Sequence, residues 1–187
     1  MKNKAILIGI GIVVVLIIIW VATFNSLQSA DENVDSKWAQ VENQLKRRYD
    51  LIPNLVETVK GYTEYESSTL EAITAARSAS QSATNLSQLA DANAQLTSSL
   101  GKLSVVVEAY PDLKASEQYQ SLMTELAGTE NRIAVARMDY NNAVQSLNKS
   151  IRTFPSSLIA GMSGVDKRDY FDITETESEN PTVNFSK

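Results

Sequence analysis

Ala5–Phe24 is a continuous run of apolar residues near the start of the chain, and it carries no charge. Fourteen of its twenty residues are Ile, Leu, Val or Phe. A helix rises about 1.5 Å per residue, so about twenty residues cross the roughly 30 Å of hydrocarbon in a bilayer. The run therefore predicts a transmembrane helix. The alternatives are a cleaved signal peptide, whose apolar core usually spans only about 7–15 residues, and a buried core helix.

Beyond this run, apolar residues recur every three or four positions, which is the spacing of one face of a helix. The first such stripe covers residues 31–79 and predicts one long helix. Two residues could interrupt it, namely Pro53, which has no N–H to offer the carbonyl of Tyr49, and Gly61. Because the stripe keeps its phase across Pro53, we expect a kink there and not a break.

Two further stripes predict two more helices. One covers residues 86–109 and ends before Pro111, since the residue that precedes a proline avoids the helical region. The other begins after Ser116, a suitable N-cap, and stops at Pro155, with a short helical turn over residues 156–161. Three long amphipathic segments with short links predict an all-α protein, in which a single transmembrane helix precedes an antiparallel bundle of three to four long helices.

Four charged residues fall on or near the apolar stripes. Arg48 and Glu66 interrupt the first stripe, and Glu130 and Arg137 occupy positions of the last one where Leu would be expected. We expect these side chains at the edge of the core, with buried stems and solvated charges. The alternative is buried pairing with polar groups of another helix, which would fix the register of the bundle at some cost in stability.

The composition removes most catalytic chemistry. The chain has no Cys and no His, so disulfides, thiol chemistry, the commonest general base and the commonest zinc ligand are absent. It also has no nucleophile elbow, phosphate-binding glycine loop or metal-ligand spacing. We therefore expect a protein that is not an enzyme, with no catalytic, cofactor-binding or metal-binding residues and no small-molecule substrate.

The charge distribution bears on partners and orientation. After the apolar run, 15 basic residues stand against 22 acidic ones, which argues against nucleic-acid binding. Lys2 and Lys4 precede the run and only Lys37 follows it closely, so the positive-inside rule favours a cytoplasmic N-terminus and an extracytoplasmic body. The basic residues 46–48, just beyond the usual window, would favour the opposite orientation. The sequence thus divides into a lead (1–4), a transmembrane helix (5–24), a helical bundle (25–165) and an acidic tail (166–187) that we expect to be disordered.

Three stretches together resemble the bacterial LemA family. They are QLKRRYDLIPNLVETVKGY at residues 44–62, NRIAVARMDYNNAVQSLN at 131–148 and SIRTFPSSLIAGMSG at 150–164. The positions that match the family motifs are Arg48, Tyr49, Pro53, Asn54, Arg137, Tyr140, Asn141, Phe154 and Pro155. The resemblance implies structural roles for them, in the helix kink, the seam between helices and the helix stop.

The resemblance also implies a single-pass membrane protein with a bundle of long helices and no established catalytic residues. Relatives are associated with the cell envelope, with membrane shaping, or with a neighbouring gene for a membrane-bound zinc metalloprotease. We therefore expect a self-associating scaffold of the bacterial inner membrane, with another membrane protein as a possible partner. The alternative is a regulator or adaptor of an envelope membrane protease.

Overall fold

A computed structural model describes residues 2–63 and 66–171, and these residues form helices joined by short connections, with no β-strand among them. The expected all-α fold, with one long apolar N-terminal helix and further helices packed against it, is confirmed. The α-helices are α1 (Lys2–Lys60), α2 (Ser67–Ser82), α3 (Leu86–Val106), α4 (Pro111–Lys114), α5 (Glu117–Ser150) and α6 (Ser156–Ser163), with a 3₁₀ turn at Val107–Ala109.

Helix α1 contains both the apolar run and the first family motif. It is 59 residues long, and no Gly or Pro lies between residues 12 and 52 to interrupt it. Its most apolar 18-residue window has a mean hydropathy of 3.1 and is not buried by any other described part of the chain. This exposure argues against a buried core helix and fits a membrane anchor.

The expected single helix over residues 31–79 is wrong, because α1 ends at Lys60 and α2 begins at Ser67. Helix α1 does continue through Pro53. The interruption is at Gly61, where the backbone turns and the amides of Tyr62 and Thr63 both donate to the carbonyl of Val59, at 3.0 and 3.2 Å. Glycine lowers the cost of leaving the helix at this point.

The second and third predicted helices are present. Asn85 caps α3, since its side chain accepts a hydrogen bond of 2.9 Å from the amide of Gln88. Helix α5 begins directly after Ser116 but ends at Ser150, a few residues before Pro155. The short turn that we expected after Pro155 is α6, and it is followed by Gly164, which has the left-handed φ of 70° that glycine adopts readily.

The chain divides into two compact units, to both of which α1 and α5 contribute. The first unit comprises Met1–Gln40 and Met138–Asp169, and its core includes Leu27, Val34, Val144, Leu147 and Ile159. The second comprises Val41–Arg137 and the chain from Tyr170, and its core includes Leu45, Ile52, Leu55, Val59, Ile73, Leu96, Leu103 and Leu113.

Among the first six residues of the expected acidic tail, 166–171, Phe171 is buried and Arg168 is half-buried, whereas the other four are exposed. Phe171 is only 1% exposed, and the guanidinium of Arg137 lies 4.5 Å from the centre of its ring. This burial is what a large aromatic ring favours. The rest of the predicted tail, residues 172–187, lies outside the described residues.

Candidate functional site

The first family motif places Arg48 in the core of the second unit. The residue is 2% exposed, forms an ion pair with Glu130 of α5 and donates a hydrogen bond of 2.9 Å to the hydroxyl of Thr97 in α3. The expectation that Arg48 lies at the edge is therefore wrong, and the alternative, buried pairing between helices, is correct. Burial lowers the pKa of Arg48, and the charge of Glu130 opposes this shift. Its Nε has no hydrogen-bond partner among residues 2–63 and 66–171.

Tyr49, the next residue of the motif, adds hydrogen bonds to those of Arg48. Its hydroxyl accepts a hydrogen bond of 3.0 Å from the side-chain amide of Asn93, and that amide also donates to the carbonyl of Leu89 at 2.8 Å. The hydroxyl of Thr97 in turn bonds the carbonyl of Asn93 at 3.0 Å. Because Tyr49 and Asn93 are both buried, these bonds satisfy polar groups that would otherwise be costly inside the core.

Pro53 leaves the carbonyl of Tyr49 without its usual helical donor, since that donor would be the N–H of residue 53. Arg77 of α2 replaces it, because its Nε donates to this carbonyl at 2.9 Å. We call Arg48, Tyr49, Pro53, Arg77, Asn93, Thr97 and Glu130 the polar layer; it links α1 to α2, α3 and α5. Its central cation is buried and neutralised, so the polar layer is suited to fixing helix register and not to binding a substrate.

The second and third family motifs lie at the end of α5 and beyond it. Tyr140 packs against Trp38, with ring centres 5.3 Å apart, and its hydroxyl donates to the carbonyl of Asp169 at 2.9 Å. Burial raises the pKa of Tyr140. The side chain of Asn148 holds the backbone of Arg168 with two hydrogen bonds, at 2.8 and 3.0 Å.

Arg168 connects this segment to α1. Its guanidinium pairs with Asp31 at 2.9 Å and with Asp35 at 3.3 Å. Burial alone would lower the pKa of Arg168, but the hydrogen bond and charge of Asp31, together with the charge of Asp35, raise it. Nearby, Lys37 pairs with Asp139 at 3.6 Å. These contacts are partly exposed, so each contributes little to stability by itself.

The remaining stripe charges occupy intermediate positions. The side chain of Glu130 is 40% exposed, which agrees with an edge position. Glu66 accepts a hydrogen bond of 3.0 Å from the hydroxyl of Tyr110, and Arg137 stacks on Phe171. Phe154 of the third motif is 81% exposed, and Pro155 precedes the first turn of α6.

An open cavity of about 750 Å³ lies between the end of α1 and helix α2. Its walls mix apolar and hydroxyl side chains with one cation and one carboxylate, and the lining comprises Val56, Lys60, Thr63, Ser67, Leu70, Glu71, Thr74, Ala75 and Ser78. Within residues 2–63 and 66–171, no group of three or more His, Cys, Asp or Glu side chains is arranged to hold a metal ion.

Comparisons with known proteins identify the relatives of this chain. Magnetosome protein MamQ 2 of Paramagnetospirillum magneticum is 26% identical, and the alignment covers 79% of this chain and 64% of that protein. Protein LemA of Metamycoplasma hominis is 29% identical, with 76% of this chain and 65% of that protein covered. The chain thus spans slightly less than two thirds of the length of these curated relatives. The sequence profile of the LemA family matches residues 37–185, and the chain belongs to the LemA family.

Proposed function

We propose that the protein is a self-associating, non-catalytic scaffold, held in the inner membrane of a bacterial cell by Ala5–Phe24. Membership of the LemA family and the exposed apolar part of α1 support a membrane-associated envelope protein. Neither the family nor the relatives are named for an enzymatic activity, which supports a role through contacts with other proteins. The excess of lysines before the anchor supports a cytoplasmic N-terminus and an extracytoplasmic body.

The observation that carries this proposal is the continuity of α1. The apolar run and the polar-layer residues Arg48 and Tyr49 belong to the same 59-residue helix, which has no intervening flexible linker. A membrane segment that continues into the folded body without a flexible linker ties that body directly to the bilayer, as a membrane-bound scaffold requires.

Val135, on α5 in the second unit, offers a surface for contact between copies, because its apolar side chain is 56% exposed. Burial of such a side chain against a second copy would be favourable by about 25 cal/mol per Å² of apolar surface.

Light scattering on the purified full-length protein in mild detergent tests self-association. We expect a protein mass of at least twice the 20.5 kDa of one chain. The variant Val135→Glu should lower the mass, whereas Ala134→Glu, at an exposed neighbouring position, should not. A strictly monomeric mass for the unmodified protein would refute self-association. Recovery of a membrane protease in a native pull-down would instead favour the alternative, an adaptor role.

A further inference from the structure

Helix α6 is held against the end of the membrane anchor. Phe24, the last residue of the apolar run, packs on a cluster formed by Leu27, Ile159 and Ala160. The side chain of Gln28 also donates a hydrogen bond of 2.9 Å to the carbonyl of Ser163, the last residue of α6. Because Phe24 closes a run just long enough to cross the hydrocarbon, these contacts place α6 at the level of the membrane surface.

The opposite side of α6 is also apolar, although no described part of the chain covers it. Leu158 is 69% exposed and Met162 is 67% exposed, and their spacing of four places them on the same face. Phe154, just before α6, is 81% exposed. Three large, exposed apolar side chains next to the end of the anchor indicate a surface that has an apolar partner.

We propose that α6 is a second membrane contact, in which Phe154, Leu158 and Met162 enter the interface of the same bilayer that α1 crosses. A helix is about 10 Å wide, and an interfacial helix buries its apolar face roughly 5–10 Å into the boundary between headgroups and acyl chains. A helix packed on Phe24 and Leu27 lies within this reach.

Two basic residues that precede α6 fit the same partner. Lys149 and Arg152 are exposed and precede Phe154, where they would meet the headgroup layer. Basic residues at this level are attracted to anionic lipids. Continuity with the anchor and this charge favour lipid over a second protein copy as the occupant of the α6 face. The inference rests on the part of the proposed function in which α1 spans the membrane.

Fluorescence quenching on the full-length protein in vesicles tests this contact. The chain has no cysteine, so Leu158→Cys and Met162→Cys each give a unique site for an environment-sensitive label. The vesicles contain phosphatidylcholine and phosphatidylglycerol at 3:1. We expect quenching by brominated lipids at both sites, and quenching by aqueous iodide several-fold weaker than at Met138→Cys.

Met138→Cys is a matched control because Met138 is also an exposed methionine of the first unit. It precedes Ile151, which packs against the cluster at the anchor, by thirteen positions of the chain. Along a helix that separation is about 20 Å. Trp38 of α1 contacts the same part of α5 as Met138, and it lies well after Leu27 along the chain, away from the anchor.

A label at Val14→Cys, inside the apolar run, separates the possible failures. Lipid quenching at Val14 without quenching at Leu158 and Met162 would overturn the α6 contact and leave the anchor intact. Labels at Leu158 and Met162 that neither quencher reaches would show that protein covers this face, which would also overturn the proposal. No lipid quenching at Val14 would refute the membrane span itself.

Discussion

Arg77 compensates for the proline in α1, and this role can be tested by a double-mutant cycle. Pro53 removes the amide that would normally bond the carbonyl of Tyr49, and the guanidinium of Arg77 donates to this carbonyl at 2.9 Å. Arg77→Met keeps an apolar stem but removes the donor. Pro53→Ala restores an amide at position 53, so that the helix itself can satisfy the carbonyl.

The expected energies follow from the burial of the bond. A hydrogen bond to a charged group contributes about 1.5–3 kcal/mol, and the bond from Arg77 is only partly buried. We therefore expect Arg77→Met to lower the free energy of unfolding by about 1–2 kcal/mol. In the Pro53→Ala background the same change should cost less than about 0.5 kcal/mol, which gives a coupling energy of about 1 kcal/mol.

Urea unfolding of the full-length protein in mild detergent, followed by helical circular dichroism, provides these free energies. Arg47→Met is the control, because Arg47 is 59% exposed and pairs with Glu125 at the surface. It should cost less than about 1 kcal/mol, equally in both backgrounds. An equal cost of Arg77→Met with Pro53 and with Ala at position 53 would show that Arg77 does not compensate for the proline.

Two further predictions concern the buried cation and the orientation of the chain. Glu130→Ala should lower the free energy of unfolding by about 3 kcal/mol in the same urea assay, more than Arg48→Met, because it leaves a buried charge unpaired; the reverse order would contradict this account. A membrane-impermeant maleimide should label Ser36→Cys in intact cells but reach Asn3→Cys only after lysis, and the opposite pattern would place the body in the cytoplasm.

Spacing along the chain is sufficient to predict the second and third helices, because the apolar stripe of each marks the face that is buried. It was also sufficient to predict that α1 continues through Pro53, since the stripe keeps its phase there. The end of α1 was harder to predict. Gly61 costs only about 1 kcal/mol in a helix relative to Ala, which is too little to end α1 by itself. We attribute the end of α1 to the packing of α2 within the second unit, where Arg77 reaches the carbonyl of Tyr49.

The environment of Arg48 could not be decided from the spacing within one helix. An arginine on an apolar stripe can extend its charge to water or bury it against a partner, and the stripe has the same period in both cases. The partners of Arg48, Thr97 and Glu130, come from α3 and α5. The one available signal was that a second charge of opposite sign, Glu130, also interrupts an apolar stripe.

The first and third family motifs act at two places with different consequences. Arg48 and Tyr49 of the first motif are buried, so substitutions such as Arg48→Met should act through stability and change any activity only as far as the fold is lost. The third motif contains α6, whose outward face is exposed and contributes little to the core. Leu158→Glu should therefore leave the free energy of unfolding in detergent within about 0.5 kcal/mol of the unmodified protein. Any effect that it has in vesicles would then come from the surface that α6 presents to the bilayer.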